Sequence, residues 1–166
     1  MKTSALNNLL HPTPTLKVHP DPILRQVCAP IERFDSWLSD VVNEMFLIMD
    51  VSRGIGLAAP QVGLARRFFV AGIKDRLLCL INPEIISSSG QEQMNEGCLS
   101  LPGVSANVAR STFIRVSGYT LSGQKQFLEF EGLWARMVQH ESDHLNGILI
   151  CDHKTSHPKP QKIKVL

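Results

Sequence analysis

No stretch of the 166-residue chain approaches 18 consecutive apolar residues, so the sequence offers no membrane-spanning helix. Met1 to Leu16 lacks both the apolar core of a signal peptide and the arginines of a transit peptide, and a cytoplasmic location is expected. Without a secretory signal, Cys28, Cys79, Cys98 and Cys151 read as reduced thiols rather than a disulfide framework, with Cys28 and Cys79 assigned to the core. Net charge is small, +2 with a pI near 8.4, too mild to argue for nucleic acid, and no specific DNA binding is expected. Neither an internal repeat nor a linker interrupts the chain. At 43% apolar content it reads as one domain able to bury a sizeable core.

Against these absences stands His140-Glu141-Ser142-Asp143-His144. At about 100° per residue, positions 140, 141 and 144 fall within roughly a 100° arc of a helix, with the two imidazoles one turn apart. Two histidines so placed hold a metal ion while the intervening carboxyl handles protons, a pattern of metal-assisted hydrolysis. The plainer reading is an amphipathic helix whose histidines are merely hydrogen-bonded. The helix itself is expected because Leu133, Trp134, Met137, Val138, Glu141 and Leu145 recur at three- and four-residue spacings, and Asn146-Gly147 supplies a left-handed stop.

A catalytic ion takes three protein ligands and keeps one position open. The extended metallopeptidase pattern is followed as far as Gly147 and breaks at Ile150, where its third histidine belongs, and no glutamate follows Glu141. Cys151, Asp152, His153 and His157 remain downstream; upstream lies Cys98 within Glu96-Gly97-Cys98-Leu99-Ser100. Cys98 is favoured, because Gly97 permits close backbone approach and a ligand on an extended segment leaves the Leu99 N–H free to face a reacting group. A thiolate with two neutral imidazoles also leaves a divalent ion with net positive charge, able to acidify water. The bland alternative is a small buried thiol.

Three segments in order, Gly54-Ile55-Gly56-Leu57-Ala58-Ala59-Pro60-Gln61, Glu96-Gly97-Cys98-Leu99-Ser100 and Gln139-His140-Glu141-Ser142-Asp143-His144-Leu145, resemble the signature motifs of the peptide deformylase family. His19-Pro20-Asp21-Pro22-Ile23-Leu24-Arg25 and Phe34-Asp35 extend the likeness from about Val18 to Asp152. The resemblance implies removal of the formyl group from the N-terminal formyl-methionine of nascent polypeptides. It implies Cys98, His140 and His144 as metal ligands, Glu141 as acid and base, and Gln61 with the Leu99 amide as donors to the developing oxyanion. It implies one divalent ion, Fe²⁺ physiologically, in a ligand set that also accepts Zn²⁺, Ni²⁺ or Co²⁺. The methionine pocket it implies is lined by Ile55, Gly56, Met94, Glu96, Gly97, Leu133 and Met137, with Glu96 alternatively pairing with Arg110 to brace the cysteine segment.

On the residues alone, the small side chains at Gly54, Gly56, Ala58 and Ala59 let backbone pass close to a ligand while Gln61 projects into the cleared space. No Gly-Lys-Ser/Thr follows, which removes a phosphate cradle. A helix is expected from Asp35 or Ser36 to Val51, with Leu38, Val41, Val42, Met45, Ile48 and Met49 on one face. Strands are expected at Arg67–Ile73 and Leu77–Asn82 around a Lys74-Asp75-Arg76 turn, and at Thr112–Thr120 and Lys125–Glu131 around Ser122-Gly123. The fold class is therefore α+β: small antiparallel or mixed sheets packed around a central metal-binding helix, plus an N-terminal helix, in agreement with the fold the resemblance implies.

The chain divides into an extension at 1–17, a catalytic domain at 18–152 and a basic tail at 153–166. The tail carries Lys154, Lys159, Lys162 and Lys164 with no acid, and Pro158 and Pro160 argue against a terminal helix. A solvated tail is expected, with transient ribosome contact as the sharper alternative. Ser142 and Ser105 depart from larger residues common at those positions in the resembled family.

Overall fold

A computed structural model describes residues 14–153. The lysines and prolines of the tail, and His157, lie outside the described residues, as does most of the 1–17 extension. Within the described part of that extension, Thr15 and Lys17 donate backbone hydrogen bonds to Val62 O (3.3 Å) and Gln61 O (2.7 Å).

Helix α1 spans Ser36–Val51, as the periodicity indicates. Asp35 caps it by accepting from the Leu38 N–H at 3.3 Å, and Leu38, Val41, Val42, Met45 and Met49 form its buried stripe. Seven strands follow in chain order: β1 Gly56–Ala58, β2 Phe68–Ile73, β3 Arg76–Ser89, β4 Glu92–Cys98, β5 Leu101–Arg110, β6 Phe113–Tyr119 and β7 Lys125–Glu131. Helix α2, Gly132–His144, comes last and carries the two histidines. Past its end, Gly147 sits at φ 73° with no room for a Cβ against the Arg25 backbone, consistent with the expected stop.

Two sheets result, both antiparallel: a five-stranded one in the order β1-β2-β3-β6-β7, and the separate β4–β5 hairpin. The expected strands are all present, but β3 continues past Asn82 to Ser89, because Ser87, Ser88 and Ser89 pair with Arg115, Ile114 and Phe113 rather than turning. The β4–β5 hairpin was not legible in the sequence.

Side chains of the larger sheet alternate between two cores. Leu57, Phe68, Val70 and Ile81 join the α1 stripe, while Ala58, Phe69, Ala71, Leu80, Ile114 and Val116 join Ala135, Met137 and Val138 of α2. The two helices thus cover opposite faces of β1 and β2. Coverage on both faces explains the unbroken apolar run Phe68-Phe69-Val70-Ala71. A third cluster, Leu24, Leu101, Ala106, Val108, Leu149 and Ile150, ties the hairpin to the chain beyond α2. Among the described residues no helix is long and apolar enough to cross a membrane.

Candidate metal centre and cleft

Helix geometry sets the first two ligand atoms. His140 and His144 lie one turn apart on α2, and their Nε2 atoms stand 3.2 Å apart with rings at 74°. The last residue of β4 places Cys98 Sγ 3.3 Å from His144 Nε2, and all three ligand atoms lie within 4.8 Å of one another. Ligands at about 2.0–2.3 Å around a tetrahedral ion stand roughly 3.3–3.5 Å apart, so this triangle has the size that chemistry asks for. A sulfur and two ring nitrogens facing one another are also the donor set that suits a shared divalent cation. No other group of three such side chains occurs among the described residues.

The two histidines are oriented by different means. His140 Nδ1 meets Glu96 Oε2 at 2.9 Å, whereas His144 Nδ1 has no partner among the described residues and that side of the ring is fixed by burial. Burial disfavours the His140 imidazolium, but hydrogen bonds to Cys98 and Glu96 and the Glu141 charge outweigh it, raising its pKa to about 10. Burial and the neighbouring His140 and Arg110 charges hold His144 neutral, down to about 3.

Glu96 anchors a buried ionic brace. Arg110 grips it with two hydrogen bonds, Nε to Oε1 at 2.7 Å and Nη2 to Oε2 at 2.9 Å, and Arg136 adds Nη1 to Oε1 at 2.7 Å. Arg136 also reaches Val108 O (3.0 Å) and Glu92 O (2.7 Å), fastening α2 to both strands of the hairpin. Arg110 extends the network to Asp143 (2.7 Å), which His153 meets at 2.8 Å. Burial would raise the Glu96 pKa, but His140 and the two guanidiniums hold it far below the usual carboxylate range. The anticipated Glu96–Arg110 pair is therefore present.

Sequence reasoning did not find Arg136, Asp143 or Ser100 as parts of the site. Arg136 left a detectable signal: an arginine one turn before His140, on the side of the helix that faces the core.

Glu141 is 3% exposed, and its Oε2 has no hydrogen-bond partner among the described residues. Burial pushes its pKa up to about 7 against the lowering effect of His140 and Arg110. Gly56 makes room for this carboxyl: a Cβ there would lie 2.8 Å from Glu141 Cδ. Gln61 is also buried; its Oε1 accepts from the Ala58 N–H at 2.8 Å, and its Nε2 points to Ser100 Oγ (3.2 Å) and Cys98 Sγ (3.6 Å). The Leu99 N–H has no partner among the described residues.

These groups open onto a cleft of about 490 Å³ whose lining includes Ile55, Gly56, Gln61, Met94, Glu96, Gly97, Cys98, Leu99, Leu133, Met137, His140 and Glu141. Every residue expected from the sequence for the site lines this cleft except His144, which lies beneath it, 1% exposed. Glu96 contributes to the wall, but its carboxyl is turned into the brace.

A sequence model of the polypeptide deformylase family matches residues 14–160. The chain is 43% identical over 132 residues to a peptide deformylase of Carboxydothermus hydrogenoformans, covering 80% of this chain and 87% of that one. Among solved structures, peptide deformylase from Thermotoga maritima superposes with a TM-score of 0.84 at 40% identity, covering 87% of this chain and 99% of that one. The Synechococcus elongatus peptide deformylase, solved in complex with actinonin, gives 0.84 at 39% identity over 89% of this chain and 83% of that one. With its cysteine, two histidines and intervening glutamate gathered at one cleft, this chain belongs to the polypeptide deformylase family.

Proposed function

We propose that this chain hydrolyses the formyl group from the N-terminal formyl-methionine of nascent polypeptides, giving formate and a free amino terminus. The observation that carries this reading is the Cys98–His140–His144 triangle beside the buried, unpartnered carboxyl of Glu141. Cys98 Sγ and the Nε2 atoms of His140 and His144 would hold one divalent ion, Fe²⁺ in the cell, in a ligand set that also takes Zn²⁺, Ni²⁺ or Co²⁺. Such an ion, when bound, supplies Lewis acidity and lowers the pKa of water.

The remaining work falls to the chain's own groups. Glu141 takes a proton from the water that adds to the formyl carbon and passes it to the amine nitrogen as the C–N bond breaks. A carboxyl with a pKa of about 7 suits both transfers near neutral pH. Gln61 Nε2, held by its own amide oxygen on the Ala58 N–H, and the Leu99 N–H donate to the oxygen that gains charge. Ile55, Gly56, Met94, Gly97, Leu133 and Met137 form the wall against which the methionine side chain lies. Glu96 fixes the His140 ring through Nδ1 so that Nε2 is turned toward Cys98 and His144, where it would hold the ion.

A nascent-chain substrate supports a cytoplasmic reaction. Transient ribosome contact, if made, would come from the basic residues 154–164, outside the described part of the chain.

The purified protein should bind about one metal ion per chain and release formate from a formyl-Met peptide. Metal binding without formate release from any such peptide overturns the reading, as does cleavage of internal peptide bonds instead.

A further inference from the structure

A substrate of this enzyme is a polypeptide of any length, so everything after its first residue must leave the cleft through the open rim. The exposed lining residues that form that rim include Arg53, Ile55, Met94, Asn95, Val104 and Leu133. Among the described residues, Arg53 is the one charged side chain on the exposed part of the lining. The lining carboxylates are Glu96 and Glu141, both buried, with Glu96 neutralised by two guanidiniums.

Arg53 is also uncommitted. It makes no ion pair or side-chain hydrogen bond among the described residues, although both buried arginines and several exposed ones do. Its backbone is held in the left-handed region, φ 56°, where the chain leaves α1 for β1. Two hydrogen bonds fix that turn: Arg53 N–H to Asp50 O at 2.9 Å and Gly54 N–H to Met49 O at 2.9 Å. A left-handed arginine is uncommon, and here it turns the side chain onto the mouth of the cleft.

Reach follows from chain geometry. Gly56 abuts the Glu141 carboxyl, and Arg53 lies three residues upstream, no more than about 10 Å along the chain. A substrate running outward from Glu141 at about 3.3 Å per residue passes that distance at its second or third residue, counting methionine as the first.

We propose that Arg53 is a specificity-determining residue that makes this enzyme prefer formyl-methionyl chains with an acidic residue at the second or third position. The inference rests on the deformylase reading above, and the test separates the two. Arg53 acts through a solvated, long-range attraction, so the preference is modest and sensitive to salt. For the metal-loaded protein at low ionic strength, kcat/KM for formyl-Met-Ala-Asp and formyl-Met-Asp-Ala should together exceed that for their lysine counterparts by about three-fold, the size of an exposed pairing. The ratio should fall toward one in 0.5 M salt, on the order of a 4 Å screening length. The preference should vanish, with a ratio of one, in Arg53→Asn, which tolerates the left-handed backbone, invert in Arg53→Glu, and survive in Arg53→Lys.

Turnover of uncharged formyl-Met-Ala-Ala reports on the deformylase reading alone. A protein that turns over this peptide but shows no acidic preference, or keeps the preference in Arg53→Asn, overturns the role given to Arg53. A protein inactive on all of these peptides overturns the reading beneath it.

Discussion

Helices α1 and α2 cover opposite faces of the same strands yet are made of opposite materials. The inner face of α1 is Leu38, Val41, Val42, Met45 and Met49, and its buried residues include no polar side chain. The inner face of α2 includes Arg136, Glu141, Ser142 and His144 among Ala135, Met137 and Val138. Burying charge is costly unless each group is matched, and α2 matches Arg136 while leaving Glu141 without a hydrogen-bond donor. One helix holds the molecule together; the other is held in place by the molecule so that its unmatched groups face the cleft.

The largest expected effect breaks this contrast at its extreme. Glu141→Gln should keep the metal but lower kcat by about 10²- to 10⁴-fold, the usual contribution of a positioned acid and base. The same change should stabilise the metal-free fold. A carboxyl with a folded pKa of about 7 and an ordinary value of 4.5 favours the folded state only while protonated. The Glu141 contribution to stability is therefore fullest below about pH 4.5 and is lost as pH rises through 7, by about 3 kcal/mol in total. Denaturant melts of the metal-free proteins at pH 5 and pH 8 should show the variant gaining at the higher pH; equal gains at both would contradict the assignment.

Next come two truncations that should differ in kind. Glu96→Ala leaves Arg110 and Arg136 buried without their anion, which should cost about 3–5 kcal/mol, and frees His140 Nδ1, which should weaken metal affinity by 10- to 100-fold in chelator competition. Met45→Ala, wholly inside the α1 core, should cost about 2–5 kcal/mol by denaturant melting and leave metal affinity unchanged. If both variants lose metal affinity alike, the division between the helices fails. The smallest effect is expected at the Asp35 cap: Asp35→Ala should lower stability by about 1 kcal/mol with kcat intact.

The same contrast explains what the sequence disclosed. The bounds of α1 were legible because an apolar stripe repeats at helical spacing and an aspartate stands where a cap belongs. In α2, the ligands were legible because a helix fixes the separation of residues one turn apart, and Cys98 because its glycine neighbour and the free amide after it suit a ligand. The Glu96–Arg110 pair was anticipated, but Asp143 and Arg136 were not, since a charge pattern does not reveal which charges are buried. The hairpin escaped notice for a related reason. Glu92-Gln93-Met94-Asn95-Glu96-Gly97-Cys98 buries only Glu96, so no apolar alternation marks β4 as a strand. Strand β1 is three residues long, too short to carry a period of its own.

The hairpin also bears on how the enzyme keeps its ion. A two-stranded ribbon is marginal in isolation, and β4–β5 hydrogen-bonds to no strand of the larger sheet. Its attachments include the guanidinium contacts of Arg136 and Arg110, the Glu96–His140 hydrogen bond and one small apolar cluster. The sulfur donor thus rides on a ribbon outside the larger sheet, while both imidazoles ride on a helix packed against the interior. Peeling away that ribbon would withdraw Cys98 together with the Glu96 carboxylate that orients His140, so release of an ion held there is open to a local fluctuation and does not require global unfolding.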